Sequence, residues 1–153
     1  MADTAMFQLL DIESEFALEF PLFPEQITTS GRANWEPQEV TMGKKPLFYA
    51  NTDPLRISIN EVYFDYTDSN VSAAPDIDLM RYLMTEFEGK PPGALLAIWG
   101  EREIRCVLTD LTIEETMFND DGNPTRLKCS LELLELQEDG EATNVSVYTE
   151  DIY

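Results

Sequence analysis

The sequence predicts a mainly β domain, a small sandwich or barrel, with one α-helix over about residues 76–88. Three observations point there. Apolar and polar side chains alternate at period 2 in four separate stretches, the pattern of strands with one buried face. One stretch repeats at helical spacing instead. And 153 residues, 43% hydrophobic and 26% charged, suit a single domain whose own core suffices without metal or disulfide staples.

Residues 1–14 read as an acidic extension. Phe16, Leu18 and Phe20 then alternate with Ala17 and Glu19, and Pro21 and Pro24 close that strand. Leu55, Ile57 and Ile59 share one parity while Val62, Phe64 and Tyr66 share the other. The slip near Asn60-Glu61 predicts a β-bulge or sharp bend in one long strand, because a one-residue offset would otherwise turn the apolar set to solvent.

In PDIDLMRYLMTEFEG, Pro75 and Asp76 suit a first helical turn, and Ile77, Met80, Leu83, Met84 and Phe87 line one face. Gly89 and Pro91-Pro92 supply the stop. The methionine-rich face is assigned to the core in preference to a cofactor or peptide groove. An apolar strand, Ala94 to Trp99, follows. Ile104, Cys106 and Leu108 are apolar at even positions and Leu111, Ile113 and Met117 at odd ones, a second phase change of the kind curved sheets need. Leu127, Cys129, Leu131 and Leu133 alternate in a further strand, and Val145, Val147 and Tyr148 are a candidate last edge strand.

Charge excludes several functions. Thirty Asp and Glu against ten Lys and Arg give −20, so nucleic-acid binding as the main activity is not expected, since that affinity comes from cations displacing counterions. Anionic membranes are disfavoured for the same reason. All ten bases lie between Arg32 and Lys128, while six acids precede them and seven follow. Such flanks suit solvated ends or docking against a positive neighbour. The N-terminus carries acids where a signal peptide carries bases, and the longest apolar run elsewhere, Ala94 to Trp99, is far short of the roughly 20 residues that span a bilayer. The expectation is a soluble protein made in the cytosol, without membrane insertion.

Chemistry is hard to place on these residues. The absence of His removes Ser-His-Asp and Cys-His catalysis and leaves zinc few soft ligands. Carboxylate pairs abound among 30 acids, but no environment singles one out as a glycosidase-type pair. FNDDGNP, Phe118 to Pro124, has the acids and glycine of a calcium loop, yet Asn119, Asp120 and Asp121 are consecutive rather than alternate, and Asp121-Gly122 favours a hairpin turn. Cys106 and Cys129 lie on the apolar phase of their strands, as buried thiols rather than a redox pair. Trp99 is a core or rim aromatic, or else an intersubunit anchor, and is the candidate interface residue. No catalytic residue, cofactor or metal is expected.

Residues 89–136 carry Pro91-Pro92, the apolar strand Leu95 to Trp99 followed by Gly100, a strand pair, and then Phe118, Gly122, Pro124 and Arg126 in a Phe-x-x-x-Gly-x-Pro-x-Arg turn into a final strand. In order and spacing this resembles the tube-domain proteins of contractile injection systems and contractile phage tails. Upstream, LEFPLFPEQITTSGRANW looks like that family's opening strand and LRISINEVYFDY like its long central strand, so the resemblance covers about residues 15–137. It implies a fold of the phage-tail-tube type, with an exposed long hairpin, whose copies join into a hexameric ring. Several relatives form the layer where tube meets spike hub. The implied partners are further copies of the chain, the inner tube protein, the spike or hub protein and baseplate wedge components, in a particle assembled in the cytoplasm of the producing bacterium. Many adaptor relatives continue into a C-terminal LysM-like module, and this sequence is expected to lack one. The expected organisation is an extension at 1–14, a tube-like domain at 15–137 and an acidic tail or edge strand at 138–153. The competing reading is an acidic stand-alone module that occupies a basic protein.

Overall fold

The computed structural model describes residues 6–137. Along them run β1 (Phe7–Asp11), β2 (Ala17–Glu19), β3 (Ile27–Ser30), β4 (Ala33–Pro37), β5 (Leu47–Thr52), β6 (Arg56–Asp65), α1 (Ala74–Tyr82), β7 (Leu95–Trp99), β8 (Arg102–Phe118) and β9 (Pro124–Glu135). Seven strands pair in the order β2-β1-β7-β8-β9-β6-β3, all antiparallel, and β4 pairs with β5 in a separate two-stranded ribbon. The fold is therefore mainly β with one α-helix, as the alternation predicts. Because β2 and β3 are its two edges, the large sheet is open rather than closed into a barrel.

The core lies on one face of this sheet. Phe7 stands between Phe20 and Trp99, with ring centroids 4.9 and 5.2 Å away, and Phe20 reaches Phe64 at 5.3 Å. Leu9, Ile57, Ile59, Val62, Leu127, Cys129, Leu131 and Leu133 complete it with Met80 of α1. Each fully buried side chain of this size contributes about 1.5–3 kcal/mol of transfer free energy.

Both phase slips are one-residue bulges. Pairing jumps from Ile59–Leu131 to Val62–Cys129, leaving one extra residue in β6, and Glu61 takes the left-handed conformation with φ 58°. In β8 it jumps from Leu108–Leu133 to Asp110–Glu132, where the Thr109 hydroxyl donates to the Glu132 carbonyl at 3.1 Å. Each bulge lets Ile59 and Val62, or Leu108 and Leu111, face the same core despite opposite parity.

Two expected boundaries move. The helix ends at Tyr82, six residues before 88: the Met84 and Thr85 N–H groups bond carbonyls only three residues back, those of Arg81 and Tyr82, and the Thr85 hydroxyl donates to the Arg81 carbonyl. The chain then turns back on itself: Phe87 and Lys90 exchange backbone hydrogen bonds of 3.0 Å across Glu88 and Gly89, whose φ values are 52° and 80°. Gly89 thus serves a two-residue turn rather than a helix stop. Of the apolar stripe, Met80 and Leu83 are buried, Ile77 and Met84 are half-buried, and Phe87 is exposed.

The extension at 1–14 is corrected from residue 7 onward. FQLLD forms β1, an inner strand flanked by β2 and β7, with Phe7 and Leu9 fully buried. The Leu9-Leu10 doublet and the surrounding acids mask its alternation. The tail at 138–153, with the candidate strand at Val145, Val147 and Tyr148, lies outside the described residues.

Candidate assembly interface

The β4–β5 ribbon is the largest feature that the chain's own core does not use. Its residues are exposed except for half-buried Asn34, although the ribbon carries Trp35, Leu47, Phe48 and Tyr49, with Val40 and Met42 in its loop. Met42 is 83% exposed and Trp35 55%. Local contacts set its shape. Trp35 meets Tyr49 edge-on at 5.6 Å, Asn34 donates to Asn51 at 2.6 Å and to Asp53 at 2.9 Å, and Lys45 pairs with Glu39 at 3.3 Å. Neither strand pairs with the seven-stranded sheet. A lone two-stranded ribbon is marginal in water, and contiguous exposed apolar side chains mark association surfaces.

The ribbon is rooted at one end of the sheet. Asp53 N–H donates to the Arg32 carbonyl at 2.9 Å, the Gln137 side-chain amide to the Thr52 carbonyl at 3.1 Å, and Glu135 N–H to the Leu55 carbonyl at 2.8 Å. These contacts hold its base to the C-terminal end of β9.

Along the length of β9, from beside this root to the turn at its far end, the sheet presents a different surface. β7 pairs with β8 only from Arg102 to Cys106, so among the described residues β8 has a strand on one side only from Val107 to Phe118. An open strand edge is a template for adding another chain. It runs into the turn Asn119–Asn123, where the Asn119 carboxamide oxygen accepts from the N–H groups of Asp121 and Asn123 at 2.9 and 3.0 Å and Gly122 takes φ 85°. That fixes FNDDGNP as a hairpin turn. Met117 and Phe118 are exposed beside it.

Trp99, the residue singled out from sequence, is only 3% exposed. Phe7 covers its ring, and the Arg102 guanidinium lies 4.7 Å from the ring centroid. In this chain it is a core aromatic, packed against Phe7 and Arg102. Cys106 and Cys129 are buried free thiols, and burial pushes both up to about 12. Among the described residues no three acidic or thiol side chains converge as a metal site would require, and no helix is long and apolar enough to cross a membrane.

Sequence reasoning missed β3, β4 and β5. The signal for the ribbon was available: Trp35 and Leu47-Phe48-Tyr49 are bracketed inward by Pro37 and Pro46, as two strands around a loop. Short strands with both faces in solvent carry no apolar alternation, so the period-2 test passes over them.

A family model described as contractile injection system tube protein matches residues 10–144, a span that includes the ribbon, the open edge and the turn. No curated protein matches the chain.

Proposed function

The chain belongs to the contractile injection system tube protein family, and from that premise we propose that it forms a hexameric ring at the baseplate end of the inner tube, linking the tube to the spike hub. The observation that carries this reading is the β4–β5 ribbon, whose six large apolar side chains remain 38–83% exposed and outside the core. The open β8 edge supports it, because it offers a second, unlike surface, and a closed ring needs two unlike surfaces on every copy. The ring acts by shape and symmetry rather than by catalysis, matching a threefold spike to a sixfold tube and passing on the contraction stroke. Its neighbours are further copies of itself, the inner tube protein, the spike or hub protein and baseplate wedge components, and it joins them in the cytoplasm of the producing bacterium.

The test is to tag the chain in its producer, purify the particles and count copies by quantitative mass spectrometry. Six copies per three copies of spike is the expected ratio. Recovery with a single basic protein and no sheath or tube would overturn the ring and favour an acidic binding module, to which the net charge of −20 would be suited.

A further inference from the structure

The charges of the two exposed surfaces are not alike. Residues 32–53, the ribbon with its flanks, carry Arg32, Lys44 and Lys45 against Glu36, Glu39 and Asp53, and so are neutral in a chain of net charge −20. Lys44 and Lys45 sit at the loop beside Met42 and Gly43, and both are exposed; Lys45 also pairs with Glu39 at 3.3 Å, an exposed pair that a neighbour's carboxylates can share or displace. Residues 109–124, the open edge and turn, carry Asp110, Glu114, Glu115, Asp120 and Asp121 and no base. Lys128 stands across from Glu114 in the register, and Arg126 is committed to Asp65 at 3.1 Å, so Glu115, Asp120 and Asp121, with Asp110 further along opposite Glu132, are the acids without a basic cross-strand neighbour. Both surfaces also expose large apolar groups: Trp35, Met42 and Phe48 on one, Met117 and Phe118 on the other.

We infer that the β4–β5 ribbon of one copy docks on the β8–β9 end of a second copy, with Lys44 and Lys45 against Glu115 and the acids of the 119–123 turn. This deepens the ring reading and rests on it. The ribbon's root and the 119–123 turn sit at opposite ends of β9, whose 12 residues span about 40 Å, so the contact joins unlike surfaces: one end of each copy meets the other end of the next. Such a contact generates a ring or a chain of copies, and two antiparallel copies would satisfy it reciprocally as a twofold dimer, which the mass of the assembled species distinguishes. Apolar burial supplies the attraction, while the opposite charges choose the partner surface and speed encounter. The β1–β2 turn and the Phe87 turn also join acids to exposed apolar groups, but they lack an unpaired strand edge of comparable length for a ribbon to lie against.

The test uses two full-length variants with different tags, Lys44→Glu/Lys45→Glu and Glu115→Lys/Asp120→Lys. All four positions are exposed, so circular dichroism of each variant is expected to match that of the parent chain. Self-association is read by native mass spectrometry over a concentration series. Each variant alone brings like charges together and is expected to associate at least about tenfold more weakly than the parent. Mixed, the two variants meet with every contact again oppositely charged, and assembly returns with the tags alternating. Variants that assemble like the parent, or a mixture no better than its parts, would overturn this docking while leaving the ring intact, and the second result would place the ribbon against another surface or protein. A parent chain that stays monomeric throughout would instead sink the ring reading, and this docking with it.

Discussion

At the scale of single residues, burial decides what each conspicuous side chain does. Trp99 is held by Phe7 and Arg102 inside its own chain, so Trp99→Ala is expected to cost about 3–5 kcal/mol of folding stability. A thermal melt should fall by roughly 10 °C, at about 2–4 °C per kcal/mol for a chain of this size. An unchanged melting temperature would place the ring outside the core. The thiols follow the same logic. Burial holds Cys106 and Cys129 in the neutral form up to about 12, well above the range of an unfolded thiol near 8.5. For Cys106 the Glu135 carboxylate adds to the effect. Since the unfolded chain loses these protons first, the stability they contribute is complete below about pH 8.5 and is lost as pH rises from there towards 12. Iodoacetamide at pH 8 is expected to leave both unmodified in the folded chain and to label both in denaturant. Fast labelling of the folded protein would contradict their burial.

At the scale of elements, each strand or turn is a separate balance between a local signal and its surroundings. Gly122 takes φ 85° in the β8–β9 turn, so Gly122→Ala is expected to destabilise the chain by about 1 kcal/mol, read as a lower urea midpoint. The ribbon behaves differently, because none of its side chains joins the buried core. Trp35→Ala should leave the urea midpoint of the isolated chain within about 0.5 kcal/mol of the parent while abolishing association, a split that native mass spectrometry and denaturation read together. A matching loss of stability would mean that the ribbon packs at home. This contrast also explains what was legible in the sequence. The long strands β6, β8 and β9, their bulges and the 119–123 turn were readable, since each buries one face or needs left-handed residues. The ribbon was not, because its apolar side chains stay exposed on both faces and so show no alternation. β1 was hidden by its Leu9-Leu10 doublet, and the end of α1 by Met84 and Phe87, which continue the helical spacing after the backbone has left it.

At the scale of the whole molecule, an excess of 20 negative charges opposes any compact or associated state. Raising ionic strength from about 0.01 to about 0.15 M shortens the screening length from about 30 to about 8 Å, so the melting temperature of the isolated chain is expected to rise. A copy-to-copy contact has to overcome the same repulsion. The neutral ribbon with its two loop lysines suits such a contact better than an all-acidic surface would. Among the described residues the sheet leaves one side of β8 without a strand and the ribbon exposed, and the family match gives the setting in which copies meet. The central claim is that six copies close into one ring at the spike end of the tube. The most direct measurement is electron microscopy of particles purified through a tag on this chain, with the tag labelled by antibody. A single labelled layer with sixfold symmetry where the tube meets the spike is the predicted result. Label spread along the whole tube, or particles without the chain, would contradict it.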